Sequence, residues 1–189
     1  GVLFGEPKDF GDYSEPHPNT ILNWGSPVLT FTNAESHLLL AEAAIRGWNT
    51  GSAKTAYENA VRAGMRHWAH FGEEGVISSE KIEAYLKKNP FKENGTFEEK
   101  LEQISTQKWV ALLLDNYEIF ANWRRTDYPK LIPTNYPGNI TGGTIPRRLI
   151  IPDSELTLNE VNFNEALNRQ NVGNLLTSIV WWDPKYPGR

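Results

Sequence analysis

The chain has 189 residues, a formal net charge of −4 and 39% hydrophobic residues, enough for one ordinary core and near the upper end for a single domain. A pI near 5.6 and basic residues that are scattered or isolated in pairs, such as Arg124 with Arg125 and Arg147 with Arg148, offer no continuous positive field, so nucleic acid is not an expected partner. Without cysteine there is no disulfide, thiolate nucleophile or sulfur metal site, and the longest apolar run, Trp109 to Leu114, is far short of the roughly 18 residues a membrane span needs.

The chain opens on GVLFGEPKDFGDYSEP, with neither a methionine nor a basic-then-apolar leader, so the expectation is a single domain over 1–189 or a processed or excised piece of a longer protein. Helical signals begin at Thr32. Thr32 and Glu35 fit a capping box, and Leu38, Ala41, Ile45 and Trp48 follow at helical spacing, which predicts a helix from about Asn33 to Trp48. Gly51 interrupts, Ser52 supplies a new cap, and Ala53, Ala56, Tyr57, Ala60, Val61, Gly64 and Trp68 predict a second helix to about His70. So short a connection makes the two helices near-antiparallel neighbours.

The order Ala53, Tyr57, Ala60 is the small–aromatic–small pattern of the second helix of a tetratricopeptide repeat. His37 and Ala44 stand where that repeat has large aromatics, and no second copy follows, so the reading is one TPR-like hairpin over 32–70. Residues 78–126 read as further helices. SSEKIEAYLKKNP is a short helix capped by Ser78 or Ser79 and stopped before Pro90, and Thr96 with Glu99 forms a capping box for a helix carrying Leu101, Ile104, Ala111 and Leu112 on one face. Asp115 and Asn116 break it, and a separate helix runs from about Tyr117 to Arg125.

Residues 127–189 read as an irregular C-terminal wrap. Five prolines between Pro129 and Pro152, with Gly138, Gly142 and Gly143, exclude long helices there. DSELTLNEVNFNEALNRQ predicts one or two short helices, with Asn162 and Glu165 as a capping box, and LTSIVWWDPKYPGR closes the chain as a loop or short strand. The fold class is mainly α: a TPR-like hairpin plus further helices, with a long proline-rich irregular segment.

Chemical motifs are sparse. His67 and His70 sit one helical turn apart in HWAH, but they lack the intervening glutamate of a zincin and a third ligand, so no metal is expected. There is no G-x-S-x-G elbow, phosphate loop or dinucleotide fingerprint, and neither a cofactor nor a catalytic residue is assigned. Aromatic residues are the positive feature, because ring faces stack on the apolar faces of sugars. Trp48, Trp68, Trp109 and Trp123 fall on predicted helices and are expected in the core. Tyr136, Trp181, Trp182 and Tyr186 fall in irregular parts and are the candidate ligand-binding residues, with packing onto the helices as the competing reading. Trp123, Arg124, Arg125 and Asp127 are read as a structural corner, the cations complementing a helix C-terminus and, with Asp127, pinning the C-terminal wrap.

Four blocks, in order, carry a resemblance: LLLAEAAIRGW with AYENAVRAGM, then ISTQKWVALLLDNYEIFANWRRTDYP, then IPRRLIIPDSELTLNEVNFNEAL, and finally LLTSIVWWD. Over roughly Thr32 to Asp183 the chain resembles the C-terminal part of the SusD/RagB family, in its SusD-like outer-membrane lipoprotein branch. The resemblance implies a non-enzymatic binding protein at the outer membrane and cell surface. It would be exported and held there by an N-terminal lipid anchor absent from this chain, and would capture oligosaccharides or other nutrients for a SusC-like TonB-dependent transporter. Two other classes stand beside it: a TPR-like scaffold that binds a protein, and a helical glycoside hydrolase.

Overall fold

Side-chain oxygens cap the first five helices. The computed structural model describes residues 15–48, 51–183 and 185, and the chain divides after Pro129 into two units. The first unit holds α1 (Asn33–Ile45), α2 (Ala53–Arg66), α3 (Ser79–Lys88), α4 (Phe97–Ala111) and α5 (Asn116–Thr126). Thr32, Ser52, Ser78, Thr96 and Asp115 each accept a hydrogen bond from a first-turn amide of the helix that follows. At Thr96 the box is complete, because the Glu99 carboxylate accepts from the Thr96 amide at 2.7 Å. At Thr32 it is half made, since Glu35 faces the Lys108 ammonium at 3.4 Å.

The spacing read in the sequence is the spacing of the core. Leu38 and Ala41 of α1 meet Tyr57, Ala60 and Val61 of α2, and Ile104 of α4 closes the same cluster. Small residues set the approach of the hairpin: a Cβ on Gly64 would lie 3.4 Å from that of Ala34. Tyr57 packs its ring 5.3 Å from Phe91, and burial pushes its phenol up to about 12.

Two expectations in this unit need correction. α1 stops at Ile45, Gly47 takes φ +76°, and Trp48 is 70% exposed with the Arg46 guanidinium 6.0 Å from its ring, so Trp48 is not a core residue. The left-handed glycine turns the chain out of the helix before Trp48 can continue its stripe. α2 ends at Arg66 and tightens into a 3-10 turn, His67–Phe71, in which Phe71 is buried and Trp68 is half-buried against it. A 3-10 helix turns in about 3 residues rather than 3.6, so beyond Arg66 the α-helical stripe no longer decides which residue is buried. Trp109 is also half-buried, whereas Trp123 is 7% exposed.

Buried charge is paired inside this unit. Lys108, 3% exposed, lies 2.9 Å from Glu118 as well as near Glu35. Arg125 donates to Glu42 at 2.7 Å and to Asn122 at 2.8 Å, which ties α5 to α1. Burial alone would raise the Glu42 carboxyl, but the hydrogen bonds and charges of Arg125 and Arg46 outweigh it and hold Glu42 below the usual carboxylate range.

The described residues of the second unit start at Lys130, and among them no helix precedes α6 (Asp153–Leu158) and α7 (Glu160–Gln170). Asn162 does not cap a helix: it lies inside α7, and Glu165 pairs with Arg169 one turn on. Asn159 stands before α7 without a side-chain cap, its amide nitrogen donating to Glu155 instead. The register error is physical, because α7 starts three residues earlier than the Asn162 box requires, directly from the end of α6. Residues 171–183 continue as turns, and no strand occurs among the described residues, so the fold is α-helical.

Candidate functional site

Long-range polar contacts shape the second unit around Trp181 and Trp182. The amides of Arg147 and Arg148 both donate to the carbonyl of Leu176, at 2.7 and 3.2 Å. The Asn174 side chain binds both backbone groups of Ile151, accepting from its N–H at 2.7 Å and donating to its C=O at 3.1 Å. Ser178 closes the next turn, accepting from the Leu175 amide and donating to the Val172 carbonyl. Under these contacts lies a buried ion pair. Arg147, 6% exposed, directs Nε and Nη2 to Asp183 Oδ2 at 2.8 and 2.6 Å, and Asp183 is fully buried. Asp183 Oδ1 accepts from the Lys185 amide, so both carboxylate oxygens are satisfied.

The pair anchors the residue that follows Trp182 and presents the two indoles at a cleft of about 550 Å³. Its walls are α7 through Ala166, Arg169 and Gln170, the segment Ile179–Trp182, and the stretch Arg148–Leu149. Trp181 is 71% exposed and Trp182 is half-buried. An exposed indole over a partly apolar floor, with guanidinium and amide groups at the walls, can stack on a sugar ring and hydrogen-bond its hydroxyls.

The candidate aromatics are therefore only partly brought together. Trp181 and Trp182 share the cleft. Tyr136 is exposed on a separate turn, closed by the Asn139 amide on its carbonyl at 3.0 Å, and does not line the cleft. Tyr186 lies outside the described residues. The four corner residues occupy the end of α5: Trp123 is buried, the Arg124 guanidinium sits 4.2 Å from the Phe120 ring, and Asp127 takes φ +62° as the helix C-cap. The partner found for Arg125 is Glu42 of α1. Sequence reasoning missed Arg148, Arg169 and Gln170 as cleft walls; only the pairing of Arg147 with Arg148 hinted at them.

A second groove, about 380 Å³, runs between α1 and α2 past His37, Arg62, Arg66, His67 and His70. Burial, and then the nearby His70, lower the His67 pKa, and Arg62 is forked onto Glu83 at 2.8 and 3.0 Å. Among the described residues no three His, Cys, Asp or Glu side chains are grouped to hold a metal ion, and no helix is long and apolar enough to cross a membrane.

Residues 4–152 match the family model described as SusD-like, starch-binding and associating with the outer membrane. The chain belongs to the SusD-like family. Solved structures agree with this assignment. A chitin-binding protein is 42% identical, with TM-score 0.71 over 81% of this chain and 33% of its own. A SusD homologue from Bacteroides fragilis is 34% identical, with TM-score 0.68 over 79% of this chain and 34% of its own. A chitin-binding SusD homologue from Flavobacterium johnsoniae is 29% identical, with TM-score 0.64 over 82% of this chain and 36% of its own. The SusD-like chain thus spans about one third of the length of these structures. No curated protein matches it. Of the cleft walls, Arg148 and Leu149 fall within the stretch matched to the SusD-like model, whereas α7 and the two tryptophans lie beyond it.

Proposed function

We infer that this chain is the C-terminal portion of a SusD-like, non-enzymatic glycan-binding protein of the outer membrane and cell surface. The full protein would be held by an N-terminal lipid and would hand captured oligosaccharides or other nutrients to a SusC-like TonB-dependent transporter. The observation that carries this reading is the open Trp181–Trp182 cleft in a chain of this family. The similarity to two chitin-binding proteins supports a carbohydrate as the ligand class. Tethered capture needs only modest affinity at the cleft, because confinement near a transporter mouth raises the local concentration of ligand.

Glycan binding by the full-length protein, measured by calorimetry while released sugars are monitored, tests this. Saturable binding without product, weakened about tenfold or more by Trp181→Ala through loss of one stacking surface, is the expected result. Product release would overturn the non-enzymatic reading, and unchanged affinity in Trp181→Ala would remove the cleft from it. Co-purification with the transporter from detergent-solubilised membranes tests the partner, and separation at low salt would count against it.

A further inference from the structure

Arg147 and Arg148 are neighbours in sequence with opposite electrostatic situations. Arg147 is buried and ion-paired with Asp183. Arg148 is half-buried in the cleft wall, and its guanidinium is held by neutral acceptors: Nε donates to the Leu149 carbonyl at 3.0 Å and Nη1 to Gln170 Oε1 at 2.6 Å. Among the described residues no carboxylate forms an ion pair with Arg148. A guanidinium taken partly out of water without a counter-ion carries a desolvation cost that an anion would offset. With Nε and one Nη1 hydrogen engaged, the remaining donors are one on Nη1 and two on Nη2, the end of the fork that receives a carboxylate in bidentate fashion.

The rest of the cleft fits the same ligand. Arg169 adds a second cation at the rim, tied among the described residues only to Glu165, in an exposed one-turn pair that an anionic ligand easily exchanges. Among the described residues no acidic side chain lines the cleft. We propose that the cleft binds an acidic saccharide, its ring stacked on Trp181 and its anionic group held by Arg148 with Arg169 at the rim. This rests on the reading of the cleft as a glycan site. A uronate carboxylate matches the planar fork, and a sulfate ester is the other source of the same charge.

The experiment compares the full-length protein's affinity for matched pairs of glycans. Polygalacturonate, alginate and chondroitin are each set against their carboxyl-reduced forms, and chondroitin sulfate against chondroitin. The expected result is at least one pair in which the acidic member binds about tenfold tighter, a gain that weakens with salt and disappears in Arg148→Gln. Arg148→Lys keeps the charge but loses the fork, and is expected to recover part of the preference. Arg169→Gln, on an exposed helix face, gives a smaller loss and serves as the variant with little risk to folding. A gain that follows the carboxyl group identifies a uronate, and one that follows the sulfate identifies a sulfated sugar.

Equal affinity within every pair, with Trp181→Ala still weakening binding, would overturn the acidic assignment and leave glycan capture standing. An acidic preference untouched by Arg148→Gln and by Arg169→Gln would place the anion elsewhere and overturn it as well. No binding to any glycan, or binding indifferent to Trp181→Ala, would bring down both readings.

Discussion

The two units of this chain are held by different physics. In the first, α1, α2 and α4 bury Leu38, Tyr57 and Ile104 in one cluster, and polar groups act mainly as caps and as clamps around it. In the second, Phe163 is the only buried apolar residue among the described residues, while Arg147 and Asp183 are buried groups paired across 36 residues of sequence and Ser178 is a buried hydroxyl satisfied by nearby Val172 and Leu175. Apolar burial is non-directional and tolerates adjustment. A buried ion pair needs its geometry, so the second unit is the one in which a single polar change does the most damage.

The largest effect is expected at that pair. Arg147→Ala leaves the Asp183 carboxylate buried without its cation and is predicted to cost about 3–5 kcal/mol, read as loss of hydrogen-exchange protection over residues 145–183. A loss within half a kcal/mol would show that apolar contacts hold this unit after all. Leu38→Ala tests the other side, with an expected cost of about 2–5 kcal/mol in denaturant unfolding from the cavity it leaves. A smaller cost would mean that the small residues around it collapse into the space.

Smaller effects sharpen the contrast. Glu42→Gln removes the acceptor of Arg125 and Arg46 and is expected to cost about 1–3 kcal/mol at neutral pH. A carboxyl held low contributes fully above its unfolded pKa, and that contribution is lost as pH falls through the folded one. The wild-type protein should therefore lose more stability on acidification than Glu42→Gln does. Equal acid sensitivity of the two would discard this role. Last, Thr96→Ala breaks a complete capping box and should cost about 1 kcal/mol, against a few tenths for Asn159→Ala, whose side chain caps nothing. Matching losses in thermal unfolding would make that difference in capping geometry irrelevant.

What was legible follows the same division. Caps at Thr32, Ser52 and Thr96 and the break at Asp115 depend on residues within one turn, so their spacing is enough to find them. The failures are also local in origin. Trp48 continued a helical stripe on paper, but Gly47 had already turned the chain, and Asn162 had the right neighbours for a cap in a helix that begins earlier. At the candidate site the exposed Trp181 was legible as a loop aromatic. Its cleft was not, since Arg148 meets Gln170 and Arg147 meets Asp183 only after folding.

The sequence by itself determined the helical class, the TPR-like hairpin with its core face, the family and the placement of Trp181 and Trp182 outside regular helices. All of these rest on periodicity, capping or ordered blocks of residues that neighbour each other along the chain. Tertiary structure alone decided which of two adjacent arginines is structural and which faces a cleft, that Tyr136 stands apart from it, and that Arg125 clamps Glu42. Those outcomes depend on which groups lose water and which partners meet them, and the partners lie from tens of residues to eighty-three residues away in the chain.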